Sequence, residues 1–140
     1  MTQGPSNHFL RNRLALTACW VCLCAPALAD GLLIITHPAV TLSHDDVRDV
    51  FLGEKQIVDG IKLVPVDNAS AQPVFLAQVM KLEPAKYTAS WTKKAFRDGL
   101  NPPPVKANDV EVIEYVKHMP GAVGYVTTPP GPGVNTIKVR

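Results

Sequence analysis

Strand-like and helix-like hydrophobic patterns alternate along the chain from residue 30 onward. Residues 32–36, with the sequence LLIIT, form a continuous apolar run, which predicts a strand covered on both faces. Residues 61–66, IKLVPV, predict a second strand, and Pro65 indicates that it lies at an edge or at a strand end. Two further strands are predicted at residues 120–126 and 135–139.

Apolar residues at helical spacing predict four helices between these strands. Ser43 is placed to cap the first helix, and Gly53 can end it in a left-handed conformation. Asn108 is placed to cap the last helix, with Glu111 three residues later as in a capping box. The predicted helices cover approximately residues 43–53, 71–82, 84–96 and 108–118.

The order of these elements predicts the fold class. Strands that alternate with helices indicate an α/β sandwich in which helices flank a mixed, partly parallel sheet. A chain of this length forms one compact domain. Tyr87, Trp91 and Phe96 lie roughly on one side of the third predicted helix. Such a stripe is typical of core packing rather than of a ligand platform, so we expect these rings in the core.

The first 29 residues have the composition of an export signal. Two arginines, Arg11 and Arg13, precede an apolar segment at residues 14–29 that closes with Ala27-Leu28-Ala29. This pattern is typical of a secretory signal peptide, whereas a membrane anchor needs about 20 apolar residues and no cleavage site. We therefore expect residues 1–29 to be removed and residues 30–140 to form a periplasmic domain.

Cysteine usage agrees with this division. Cys19, Cys22 and Cys24 all lie in the apolar segment, so residues 30–140 contain no disulfide framework, thiol nucleophile or cysteine metal site. The sequence LTAC at residues 16–19 resembles a lipoprotein signal. Because the apolar run before Cys19 is very short, we expect cleavage after Ala29 rather than lipidation at Cys19.

Charge and motif content exclude several classes of protein. The chain has 14 basic and 12 acidic residues, and two of the basic ones belong to the leader. Residues 30–140 therefore carry equal numbers of basic and acidic residues, and they lack the excess of positive charge with which proteins bind nucleic acid or an anionic membrane. No recognised catalytic or phosphate-loop motif is present. His37 and His44 could join Asp45 or Asp46 around a metal, but zinc sites need three or four convergent ligands. We expect no metal, no cofactor and no enzymatic activity.

Several segments together resemble a known family. They are LSHDDVRDVFLGEKQIVDGIKLVPVD, Phe75, YTASWTKKAFRDGLNPPP and PGAVGYV, which span most of residues 32–126. These segments resemble the phosphate-type periplasmic substrate-binding proteins, in particular short members that amount to one lobe of the two-lobed protein. The resemblance implies a single-lobe sandwich of the type II periplasmic-binding-protein class. It also implies capture of phosphate or a related oxyanion for an ATP-driven importer.

The resemblance places the ligand at the loop after the second strand. In full-length relatives this loop carries an arginine and then a serine-glycine-threonine run at a helix N-terminus, where N–H groups and hydroxyls face the anion. The matching stretch here is VDNASAQPVF, with Ser70 at the serine, Ala71 at the glycine and Gln72 at the threonine. The candidate ligand-binding residues are Asn68, Ser70, Ala71 and Gln72.

The loop departs from the family pattern in its charge. Val66 and Asp67 stand where the arginine is expected, so a bidentate cation is lost and a repulsive carboxylate is added. A single lobe also leaves the ligand open to water. Two functions follow as hypotheses: a periplasmic solute-binding protein that holds a small oxyanion weakly, or a periplasmic module that has lost ligand binding and docks on another protein of the periplasm or inner membrane.

The sequence of the leader predicts that the mature protein begins at Asp30. The apolar run before the Ala-Leu-Ala ending directs cleavage after Ala29. Intact-mass measurement of the protein from the periplasmic fraction is expected to show this start. A diacylglyceryl adduct on Cys19, or a retained leader, would contradict it.

Overall fold

The computed structural model describes residues 31–139, and the predicted leader with Cys19 lies outside them. Within this range the chain alternates short strands and helices. The strands are β1 (Leu33–Thr36), β2 (Ile57–Val58), β3 (Ile61–Lys62), β4 (Val64–Pro65), β5 (Asp67–Asn68), β6 (Val105–Lys106), β7 (Ala122–Val126) and β8 (Asn135–Lys138). The helices are α1 (Asp46–Phe51), α2 (Gln72–Phe75, continued as a π-helix over Leu76–Met80), α3 (Pro84–Asp98) and α4 (Asp109–His118).

Four strands form the central sheet in the order β4-β7-β1-β8. β1 is antiparallel to both of its neighbours, with Ile34 opposite Tyr125 on β7 and opposite Ile137 on β8. β4 runs parallel to β7. The sheet is therefore mixed, as the alternation of elements predicts, and the edge position of Pro65 is confirmed.

The sheet separates two apolar cores. Ile34 faces one core with side chains of α1, α2 and α3, and the adjacent Ile35 faces the other with Val112 and Val116 of α4. Successive strand residues point to opposite faces, so a continuous apolar run is needed when both faces are covered. Gly124 on β7 permits the close approach of α4, because a Cβ there would lie 2.7 Å from Val112 Cγ1.

The predicted strand at residues 61–66 is divided between two partners. β3 pairs with β2 in a hairpin, β4 pairs with β7, and the chain then continues into β5 beside β6. The short strand β6 follows the Pro102–Pro104 run and is not signalled by periodicity. The chain thus passes from the central sheet to the loop at Asp67 within a few residues.

The predictions for Gly53 and Asn108 agree with the structure, whereas the N-cap of α1 is Asp45 rather than Ser43. Regular helix α1 begins at Asp46, but Ser43 and Asp46 already exchange hydrogen bonds in the manner of a capping box: Ser43 Oγ donates to Asp46 Oδ2 at 2.7 Å, and Asp46 N donates to Ser43 Oγ at 3.3 Å. Gly53 has a φ of 72°, and the indole of Trp91 lies against it. Asn108 accepts from the N–H of Glu111 at 3.1 Å. No helix in residues 31–139 has the length and apolar character needed to cross a membrane.

The predicted position of Phe96 is wrong. Tyr87 and Trp91 are buried, at 4% and 6% exposure, whereas Phe96 is 88% exposed. Phe96 follows Trp91 by five residues, which at 3.6 residues per turn places it about 140° away around the helix. The first two rings therefore face the core and the third projects into solvent.

Trp91→Ala is expected to lower the free energy of unfolding by roughly 3–5 kcal/mol. The indole is buried beside α1, and its Nε1–H donates to the carbonyl of Phe51 at 3.1 Å. Phe96→Ala is the matched control on the same helix and should change stability by no more than about 0.5 kcal/mol. Urea denaturation followed by far-UV circular dichroism measures both; equal midpoints for the two variants would contradict the burial of Trp91.

Candidate functional site

The loop at residues 67–72 lies at the carboxyl end of the parallel strands, where α/β sheets commonly bind ligands. β5 forms the first two residues of this loop and is held by β6: the N–H of Asp67 donates to the carbonyl of Pro104 at 2.9 Å, and the N–H of Ala69 to that of Lys106 at 2.8 Å. The carboxyl end of β7 lies beside this loop. The sequence-predicted residues are thus brought together at one edge of the sheet, and their role as ligand contacts stays a prediction.

Asp67 is buried rather than exposed in the loop. Its side chain is 3% exposed, and it accepts from two tyrosine hydroxyls. Tyr87 O–H donates to Oδ2 at 3.0 Å and Tyr125 O–H donates to Oδ1 at 2.9 Å. The carboxylate therefore joins α3 to β7 within the core. The expectation that Asp67 repels a ligand directly from the loop surface does not fit this position.

The electrostatics of this cluster follow from burial. Burial raises the pKa of Asp67 above its ordinary value of 3.8, although hydrogen bonds from Tyr125, Tyr87 and Gln72 oppose the shift. Burial, and then the charge of Asp67, raise the pKa of both Tyr87 and Tyr125. Both phenols accordingly remain protonated donors at neutral pH.

Asn68 is fully buried and uses both ends of its amide internally. Its Nδ2 donates to Asp109 Oδ1 at 2.7 Å and to the carbonyl of Tyr125 at 3.0 Å. Its Oδ1 accepts from the N–H of Ser70 at 3.1 Å and from the hydroxyl of Ser70 at 2.7 Å. Asn68 therefore anchors the loop, and an added ligand would have to displace one of these bonds.

The other candidate residues differ in what they still offer. The proton of the Ser70 hydroxyl is directed to Asn68, and the N–H of Ala71 donates to the carbonyl of Asn68 at 3.1 Å. Pro73, in the first turn of α2, has no N–H. Gln72 is half-buried beside Asp67. One N–H of the Gln72 amide is already directed to Asp67, so its second N–H and the remaining N–H groups of the first helical turn are the donors open to an anion.

Asp109, at the start of α4, ties the neighbouring loop to the same cluster. Its Oδ2 accepts from the N–H and hydroxyl of Thr127, at 3.1 and 3.0 Å, and from those of Thr128, at 3.0 and 2.9 Å. Partial burial raises the pKa of Asp109, but hydrogen bonds from Asn68, Thr128 and Thr127 outweigh it and the net shift is downward. Sequence reasoning missed this residue, whose only local signal is its position after the Asn108 cap.

A mainly apolar groove of about 380 Å³ opens beside the loop, between α3 and the Pro102–Pro104 run. Tyr87 and Trp91 line its buried side, and Phe96 and Val105 form exposed parts of its rim. Asp67 and Gln72 also contribute to its lining. Sequence reasoning missed the groove because it placed Phe96 in the core.

The histidines do not converge on a metal position. Within residues 31–139, no three His, Cys, Asp or Glu side chains form a group that could hold a metal ion. His37 Nδ1 accepts from a backbone N–H two residues later at 3.1 Å, and His44 Nδ1 lies 3.6 Å from Asp45. Asp46 pairs with Lys55 at 2.8 Å. Each of these side chains has a local contact instead.

Comparison with known proteins identifies the fold. No protein-family model matches the sequence, and the comparison with curated proteins gives no match. Among solved structures the chain is similar to PstS from Borrelia burgdorferi, with a TM-score of 0.54 and 17% sequence identity. The match covers 79% of this chain and 47% of that one, so the protein spans about half the length of that PstS chain. The mixed α/β fold expected from the sequence resemblance is confirmed.

The burial of Asp67 predicts a specific pH dependence. Since its folded-state pKa is raised, the folded protein holds this proton more tightly than the unfolded chain does. Stability from protonated Asp67 is therefore present below the ordinary value of 3.8 and is lost as the pH rises through the folded-state pKa. The Asp67→Asn variant has no carboxylate to titrate at this position. Its stability relative to wild type should therefore increase as the pH rises from 3.8 through the folded-state pKa of Asp67, and should then level off.

Urea denaturation at a series of pH values, for wild type and Asp67→Asn, measures this difference directly. Asp45→Asn, at an exposed carboxylate beside α1, is the control and should leave the profile unchanged. Parallel profiles for wild type and Asp67→Asn, or a stability of the variant relative to wild type that falls as the pH rises, would show that the carboxylate does not carry a raised pKa.

Proposed function

We propose that the protein is a periplasmic solute-binding-like protein that binds phosphate or another small oxyanion weakly at the loop of residues 67–72. The carrying observation is the position of this loop: it follows the parallel strand pairing at the carboxyl edge of a fold similar to that of PstS, a phosphate-binding protein. Binding rather than catalysis also suits a loop with hydroxyl and amide groups and no acid–base pair open to solvent.

The hydrogen bonding of the loop supports weak binding. Asn68, Ser70 and the N–H of Ala71 are engaged with one another. No arginine or lysine occurs at residues 66–72, so no loop cation offsets the charge of Asp67. An exposed helix N-terminus favours an anion by only ~0.3–1 kcal/mol, whereas micromolar affinity requires about 8 kcal/mol.

A periplasmic protein-interaction module is the second candidate function. The same internal hydrogen bonds favour it, because they stabilise the loop without any ligand. The apolar groove beside α3 supports it independently, since its rim exposes Phe96 and Val105.

Phosphate is expected to bind with a dissociation constant in the millimolar range or weaker. Isothermal titration of phosphate into the protein as processed and purified from the periplasmic fraction measures this value. Ser70→Ala and Gln72→Ala should each reduce the residual binding further. Thr41→Ala, at an exposed hydroxyl beyond the far end of β1, is the control and should not change it.

Two results would overturn the proposed site. A submicromolar constant would show that the missing arginine is replaced from elsewhere in the fold. Binding that persists unchanged in both Ser70→Ala and Gln72→Ala would move the anion away from this loop.

A further inference from the structure

We propose that the groove between α3 and the Pro102–Pro104 run docks an amphipathic helix of a partner protein that carries acidic residues beside its apolar face. This surface, the α3 groove, deepens the second candidate function. It does not depend on anion binding at the loop, so a failed phosphate titration leaves it standing.

The exposure of its rim distinguishes this surface from ordinary packing. Phe96 is 88% exposed and Val105 is 62% exposed, yet both lie at the same groove of about 380 Å³. A concave apolar site rimmed by a large exposed aromatic is a common form of protein-docking surface. The buried wall formed by Trp91 gives the groove a rigid base.

One flank of α3 carries no charge along most of its length. Thr88, Thr92, Ala95 and Phe96 recur at helical spacing and all line the groove. Their small side chains allow another helix to approach closely, with Phe96 as the single large anchor. This flank suits an α-helix laid against it, in the helix-in-groove mode of recognition.

Beyond Phe96, the solvent-facing side of α3 is basic. Lys86, Lys93 and Arg97 are exposed and are separated by seven and then four residues, which places them on one face over roughly 16 Å of helix. Asp98 is the acidic residue of α3, and it pairs with Arg97 at 3.0 Å. Lys93 lies beside Thr88 and Thr92 of the flank, so it is positioned to meet a carboxylate, and charge complementarity selects an acidic partner.

Two other occupants fit this pattern less well. A second copy related by a two-fold axis would set this basic side of α3 against itself, so symmetric self-association lacks complementarity. A lipid surface would be met by a protruding apolar edge, whereas this site is a groove. An acidic amphipathic helix supplies both the inserted apolar side chains and the opposite charge.

The test uses two fluorescent synthetic helices of about five turns, each with a Leu/Ala contact face. One carries Glu on its flanks, and the other carries Lys at the same positions. Fluorescence anisotropy, with the protein as processed and purified from the periplasmic fraction, should show the acidic peptide binding at least about tenfold more tightly, with the preference reduced by added salt.

Two variants assign this binding to the α3 groove. Phe96→Ala should weaken the acidic peptide about tenfold or more. Lys93→Glu should remove the preference for it. Val110→Ala and Lys138→Glu are the matched controls: Val110 is 69% exposed on α4, Lys138 is exposed on β8, and neither change should alter binding. All four side chains are exposed, so thermal melts of the variants should agree with wild type.

Three results would overturn the proposal. The first is equal affinity for the two peptides, or an affinity that Phe96→Ala leaves unchanged. The second is Phe96-dependent binding to phosphatidylglycerol vesicles without peptide preference, which would assign the groove to a membrane surface. The third is a Phe96-dependent dimer in sedimentation velocity, which would assign it to a second copy.

Discussion

The arrangement of the loop depends on the hydrogen bonding of two adjacent buried residues, Asp67 and Asn68. A buried carboxylate is strongly unfavourable unless donors surround it, and a buried amide needs partners at both ends. Here the donors to Asp67 come from α3 and β7, through Tyr87 and Tyr125. Asn68 bonds to Asp109 at the start of α4. This two-residue strand thereby joins elements from both faces of the sheet.

The same network limits what the loop can offer a ligand. Loop backbone needs hydrogen-bond partners, and Asn68 supplies them to Ser70 from within the chain. In an anion site those groups would instead remain free until the ligand arrives. Asp109 plays a comparable part beside it, since its carboxylate occupies the hydroxyl and amide donors of Thr127 and Thr128. The structure thus stabilises this edge of the sheet with its own oxygens.

Local sequence patterns predict the elements but not this network. Apolar periodicity, Pro65, Gly53 and the Asn108 cap report on neighbours a few residues away, and they locate the strands and helix ends. The partners of Asp67 and Asn68 lie 20, 58 and 41 residues away in Tyr87, Tyr125 and Asp109. Their convergence depends on how the helices pack, so the sequence shows the loop but not which of its groups are already bonded. The aromatic spacing of α3 is misleading for a simpler reason, because Phe96 lies about 140° around the helix from Trp91.

The loop and the α3 groove are two surfaces with shared walls. Asp67, Gln72 and Tyr87 belong to the groove lining, and the hydroxyl of Tyr87 is also a donor to the carboxylate at the base of the loop. A substitution at Tyr87 would therefore disturb both surfaces, and a loss of binding in that variant could not be attributed to one of them. Phe96 and Lys93 are exposed and lie outside the hydrogen-bond network of Asp67, whereas Ser70 lies outside the groove. Substitutions at these exposed positions can thus separate ligand binding from protein docking, whereas substitutions at the shared buried residues affect both.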